Sequence, residues 1–309
     1  MRAIIQQEFG DPRVLEIAEV ETPDPIPSEV LVRVRAASIN PVDAMVRSGA
    51  FPLLGQPPFI LGWDISGVVE RVVPGVTRFE VGDEVYGMPF FPRQGNAFAE
   101  FVAVPSRQLA AKPRNLDHTE AAALPMSGLT AWHSLVDTAH IEPGQRVLIH
   151  AGAGGVGHLA IQIAKAKGAH VITTASSGKH DFVRSLGADE AIDYRTQDFS
   201  VLARDLDVVL DAAGGYGDSS ISTLKPNGLF ITIVERADTA LKARIEAAGR
   251  RFAGVTVEPD GTGLEHLAAL AEAGSLRPHV EHIIPFEHAS KAHELIESGR
   301  TLGKIALTM

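Results

Sequence analysis

The chain has 309 residues, 45% of them apolar, which is enough for two domains with filled cores. Its 28 basic and 38 acidic side chains leave a net charge of −10, which argues against a nucleic-acid or anionic-membrane partner while leaving room for a local basic pocket. It has no cysteine, which excludes disulfides, thiolate zinc sites, iron–sulfur clusters and cysteine nucleophiles together.

The opening "MRAIIQQEFGDP" turns polar after three apolar residues, so no signal peptide is expected. No apolar run approaches the roughly 20 residues of a spanning helix. Together these lead to the expectation of a soluble, cytoplasmic protein. The first part reads as β-rich. "EVLVRVRAASIN" sets Val30, Val32 and Val34 against Leu31, Arg33 and Arg35, the period-two pattern of a strand with two different faces. Turns recur every eight to twelve residues as far as "NAFAEFVAVPSRQLAAKP", the spacing of a small barrel or curled sheet. Asp117, with Glu120 three residues on, signals a helix start and a change of character. From there apolar runs (VLIHA, HVITTA, DVVLDA, GLFITIV, FAGVTVEP) alternate with helical segments such as "GHLAIQIAKAKG", as in a doubly wound parallel sheet. A helix over about 264–273, "EHIIPF", a helix starting near Glu287 and a strand "GKIALT" complete the chain, the last expected to pair with the first domain. The fold class is α/β. The expected domains are 1–117 with 262–309, β-rich and catalytic, and 118–261, a cofactor domain.

Gly152, Gly154 and Gly157 form G-x-G-x-x-G within "AGAGGVG", directly after a strand and at the start of a helix. The spacing supplies a tight turn, close approach of a pyrophosphate, and tight helix–strand packing. The helix N-terminus adds N–H groups and partial positive charge. An NAD site usually carries an acidic residue about 20 positions on. Here the second strand ends "TTASSGK". Ser176 and Ser177 can donate hydrogen bonds and Lys179 can neutralise a 2′-phosphate, while Asp181 lies past the strand end. This set favours NADPH over NADH; the alternative for Lys179 is an ordinary solvated lysine.

With these residues in view, the chain resembles the zinc-independent branch of the medium-chain dehydrogenase/reductases, in particular the quinone oxidoreductase and 2-alkenal (enone) reductase group. Nine stretches in order carry the resemblance: "AASINPVDAMVRSG", "GWDISGVV", "VGDEVYG", "AFAEFV", "GLTAWHSL", "AGAGGVG", "LGADEAIDY", "VVLDAAGG" and "GKIAL". It implies a Rossmann cofactor domain and a barrel-like (GroES-like) catalytic domain. It further implies NADPH contacts from the turn residues Gly152, Ala153, Gly154, Gly155, Val156 and Gly157, and 2′-phosphate contacts from Lys179, Ser176 or Ser177, and Tyr194. Asn40 and Thr130 would lie near the nicotinamide, bordered by Val234 and Gly303. A homodimer, through the edge "FAGVTVEP", is implied as well.

Asn40 stands where zinc-dependent relatives have a cysteine ligand, and Trp63 where they have a histidine, so no metal is expected. Four histidines near the end (His279, His282, His288, His293) read as solvated rather than as ligands. Asn40 has two readings: it polarises a carbonyl or positions the carboxamide, or it is a turn residue before Pro41. Without a metal to polarise a simple ketone, the expected acceptor is intrinsically electrophilic, a quinone or an α,β-unsaturated carbonyl. Phe51 stands where related enoyl reductases often carry a tyrosine, leaving the proton donor open. The alternatives are a pathway-specific enoyl or ketone reductase, and an NADPH-binding sensor or scaffold without turnover.

Overall fold

Strand Glu29–Ile39 organises the first part of the chain, and its sequence shows why. Val30, Val32 and Val34 are buried while Arg33 and Arg35 reach toward solvent, and from Ala36 to Ile39 both faces are buried. One edge of this strand pairs with Asp64–Val72. The other edge is shared between Phe101–Pro105 at its start and Lys304–Thr308 at its end, all antiparallel. The chain therefore returns at its end, as expected, to complete the first sheet. Val280–Pro285 adds a parallel strand outside Lys304–Thr308, giving a seven-stranded sheet beside a separate three-stranded one. The computed structural model describes residues 1–309.

The chain divides into two compact units, Met1–Leu129 with Glu258–Met309, and Thr130–Val257. The division falls inside helix Pro125–Trp132, not at 117/118 as the sequence suggests, and the second falls at 257/258 instead of 261/262. The reason is packing: helix His118–Ala122 lies on strands Glu29–Ile39 and Asp64–Val72 of the first unit. Its start is capped as the sequence predicts. Asp117 Oδ1 accepts from Glu120 N at 2.8 Å, and Glu120 Oε2 accepts from Asp117 N at 3.2 Å.

The second unit is a six-stranded, wholly parallel sheet. Its strands run in the order Glu190–Ile192, His170–Thr174, Arg146–Ile149, Leu206–Asp211, Leu224–Thr232, Arg251–Gly254. Its central strands are apolar because both faces are covered, and Leu148, Ile172, Val209 and Phe230 are 4% exposed or less in one cluster. Each contributes about 1.5–3 kcal/mol by burial. Gly168 and Gly187 end the helices beside the sheet at φ +80° and +104°. The last expected strand, "FAGVTVEP", is cut to Arg251–Gly254, because as an edge strand it has a neighbour on one side only. No helix is long and apolar enough to cross a membrane.

Removing the Asp117 carboxylate by Asp117→Ala should destabilise the chain by about 1 kcal/mol, read as a lower urea midpoint at unchanged m-value.

Candidate functional site

In the second unit every loop at the carboxyl ends of the strands converges on one rim, the place where open parallel sheets bind ligands. The connections wind one way from Arg146–Ile149 and the other way from Leu206–Asp211, so the strand order reverses between these two neighbours. The glycine turn leaves the first of them. A Cβ on Gly152 would lie 1.9 Å from Thr173 Oγ1, and one on Gly157 would lie 2.2 Å from the Ala151 carbonyl oxygen. Internal packing thus requires both glycines. Gly154 differs: its only near neighbour would be the Ala151 oxygen, at 3.3 Å. What a side chain there would fill is space outside the fold. Helix Gly157–Ala166 begins at Val156 with no side-chain cap and no acid in its first turn, so its N-terminal field is left for an anion.

Beneath the turn, the Thr174 hydroxyl holds Ala151 N at 3.2 Å and meets His150 Nδ1 at 3.1 Å. His150 is fully buried, stacks on Tyr216 at 4.4 Å, and is kept neutral by burial, its pKa lowered to about 3. Asp211 Oδ1 accepts from Ala213 N and Gly214 N, shaping the next loop. Val234 is half exposed and covers Gly214.

At the end of the second strand, Ser176 precedes the short turn Ser177–Lys179 and makes no capping bond with its side chain. Tyr194 is 46% exposed. Here the sequence reading needs a correction. Asp181 is fully exposed on its helix, and a different carboxylate is the near one: Asp193, which bonds the Ser177 hydroxyl. Parallel pairing of Thr174 with Ile192 puts Asp193 level with the end of the second strand. Its carboxyl is held below the usual aspartate range by the Arg195 N–H first, with the Ser177 and Thr196 hydroxyls adding to it. Asp193 is only 7% exposed, its carboxylate occupied by these donors. Ser177 is thereby an anchor for Asp193 and less a free donor. The "AIDY" after the third strand was the signal for this contact.

In the first unit, Asn40 precedes helix Pro41–Ser48 and is 2% exposed. Asp43 Oδ2 accepts from Asn40 N at 2.7 Å, and Asp43 Oδ1 accepts from Gly62 N at 3.1 Å. Burial pushes the Asp43 carboxyl up to about 7. The Asn40 side chain is bound at both ends, its Nδ2 donating to Asp64 Oδ2 at 2.8 Å and its Oδ1 accepting from Lys304 Nζ at 2.5 Å. It keeps one N–H and one lone pair beyond these bonds. Asp64 also accepts from Ser38 Oγ and Met126 N. Nothing in the sequence reading singled out Lys304 or Asp64. Trp63 is buried, with Nε1 donating to the Arg93 carbonyl at 2.6 Å. Thr130, where the second unit begins, is 6% exposed in helix Pro125–Trp132. Gly303, at φ +62°, passes so close to the His279 carbonyl that a Cβ would lie 2.2 Å away.

The expectation of solvated histidines holds for exposed His288 and fails for His293, which is fully buried in helix Ala289–Glu297. It lies edge-on to Phe98, and burial lowers its pKa to about 3, with Arg47 adding to the effect. Its place on the apolar stripe with Ala289 and Ala292 was readable from the helical period.

Two family descriptions match the chain: Alcohol dehydrogenase GroES-like domain over residues 26–114, and Zinc-binding dehydrogenase over residues 186–307. The chain is 36% identical to the NADPH-dependent alkenal/one oxidoreductase, chloroplastic, of Arabidopsis thaliana, over 99% of its own length and 79% of that protein. Its structure is similar to that of the quinone oxidoreductase from Coxiella burnetii, with TM-score 0.91, 37% identity, and coverage of 100% and 99% of the two chains. It is also similar to the Escherichia coli quinone oxidoreductase complexed with NADPH, with TM-score 0.90, 27% identity, and full coverage of both.

Gly154→Ala should leave the melting temperature within a few degrees yet weaken NADPH binding roughly tenfold or more in a calorimetric titration, whereas Gly157→Ala should cost about 3 kcal/mol in urea unfolding. The buried histidines set an acid limb. Above pH 6.5 His150 and His293 are neutral in both folded and unfolded chains; below it the unfolded chain takes protons that the folded one refuses until about pH 3. Stability should therefore fall with pH across that window by up to about 1.4 kcal/mol per unit for each histidine. His293→Leu should flatten the limb when urea midpoints are measured across it.

Proposed function

This chain belongs to the medium-chain dehydrogenase/reductase family, and from that premise we propose that it is an NADPH-dependent reductase acting on a quinone or an α,β-unsaturated carbonyl. The observation that carries this reading is the rim of the second unit: a glycine with open space on it, an uncapped helix start, and a lysine in the short turn at the second strand's end. These features fit a dinucleotide with an extra phosphate. The amides from Ala153 to Gly157 would hold its pyrophosphate, and Ser176, Lys179 and Tyr194 its 2′-phosphate. The names of the relatives support the acceptor class.

NADPH, when bound, supplies a hydride. The protein's part is to orient the dinucleotide, keep water out and hold the acceptor. Asn40 would offer its remaining amide N–H to the acceptor oxygen, and Thr130 and Val234 would line the nicotinamide site. Phe51 cannot hand on a proton, so the donor is a group other than the side chain at that position. One matched description names zinc, but the donors here do not fit that ion. The chain has no thiolate, both ends of the Asn40 amide are engaged, and Trp63 presents a bound indole N–H, which is no ligand. We extend the proposal to a cytoplasmic homodimer; the edge strand Arg251–Gly254, bonded on one side only, supports the pairing.

Purified protein should oxidise NADPH when quinones or enones are added, seen as acceptor-dependent loss of nicotinamide absorbance. Tight NADPH binding with no turnover across the panel would establish a sensor or scaffold instead. Lys179→Glu should lower the kcat/KM preference for NADPH over NADH by roughly ten- to a hundredfold. Incubation with a strong chelator should leave the rate unchanged.

A further inference from the structure

The first unit holds a lysine where a lysine is costly. Lys304 is 2% exposed, and its ammonium faces the Ile39 carbonyl oxygen at 3.2 Å, Asn40 Oδ1 at 2.5 Å and Asp64 Oδ2 at 3.5 Å. Three acceptors from three residues match the three N–H bonds of an ammonium ion; a neutral amine would leave one acceptor facing a lone pair. Asp43, also fully buried, adds its carboxyl within reach of the same field. The result is a small cage of oxygens around a positive charge, built against the side chain that stands where metal-dependent relatives have a ligand.

Apolar side chains of the same volume in place of the whole Lys304–Asp64 pair would fill this space without the desolvation cost, so fold stability alone gives no reason for charges here. What the charge adds is direction. Lys304 only donates and the Asp64 carboxylate only accepts, so the Asn40 amide has one orientation that satisfies both. Its oxygen must face Lys304 and its nitrogen must face Asp64. The remaining N–H is thereby aimed as well.

We propose that the Lys304 ammonium is a resident cation in this oxygen cage, standing in the electrostatic place of a metal ion, and that Lys304 is a positioning residue which orients the Asn40 amide for the reductase reaction. The catalytic half of this inference rests on the function proposed above; the cation half does not.

Two variants of the full chain test it. Lys304→Ala removes three carbons and the ammonium, the atoms of n-propylammonium. Lys304→Met keeps the volume and loses the charge. Lys304→Ala should melt roughly 10 °C lower. Added n-propylammonium should recover at least about half of that loss and raise kcat with the same concentration dependence, while tetramethylammonium at equal ionic strength should do neither. Lys304→Met should lose roughly tenfold or more in kcat at unchanged KM for NADPH. Wild-type kcat in Lys304→Met would overturn the positioning role, and failure of n-propylammonium to raise the melting temperature of Lys304→Ala would overturn the resident cation. If Lys304→Ala does not fold, Lys304→Met decides alone through kcat. If the wild-type chain oxidises no NADPH with any quinone or enone, the proposed function fails, and the melting curves with n-propylammonium still decide whether the cage takes a cation.

Discussion

The pairing of Lys304–Thr308 with the far half of Glu29–Ile39 joins parts of the chain that lie 265 residues apart. The register, Ile305 against Ile39, sets Lys304 opposite Asn40. From that alignment, together with the pairing of Asp64 with Ser38, follow the ammonium's three acceptors and the orientation of the Asn40 amide. Because loop-closure entropy grows only logarithmically with length, closing so long a loop costs little more than closing one half as long, about 0.6 kcal/mol. A slip of one residue would turn Lys304 to the other face of the sheet and leave Asp64 buried without its cation.

The second unit rests on a different constraint, the shared direction of its strands. Six parallel strands put six loops at one rim, so residues from distant stretches meet there without any strand being distorted. The glycines divide the labour. Two are required by contacts within the fold and one only by space outside it, a distinction that turns a turn motif into a ligand argument. His150 and Thr174 fix the backbone behind that turn with a neutral ring and a hydroxyl, so no charge competes with an incoming phosphate.

Much of this was legible in the sequence because it is local. The Asp117–Glu120 spacing reports its own cap, the glycine spacing reports its own turn, and the apolar runs report a buried parallel sheet. What escaped depends on register. Asp193 lies sixteen places beyond Ser177 and meets it only because two strands align at Thr174 and Ile192. Lys304 reads as an ordinary polar residue heading a terminal strand, and only the pairing with Ile39 gives it three acceptors. Asn40 was ambiguous because both readings were partly right: it does precede Pro41 at a helix start, and its side chain is also locked into a buried polar network. The sequence boundary near 117 follows a change from strand to helix, whereas helix His118–Ala122 packs back onto the first sheet.

The division of the chain also has a consequence for its birth on the ribosome. The second unit is one continuous stretch, Thr130–Val257, so all of its strands have emerged before the first unit has received its last one. The unit whose residues are complete first is therefore not the one at the N-terminus, against the usual N-terminal-first order. Until Lys304–Thr308 leaves the exit tunnel, the far half of Glu29–Ile39 carries an open strand edge, and the carboxyl of Asp64 waits without its counter-charge. The nascent first unit is thus the part of the chain that stays incomplete longest.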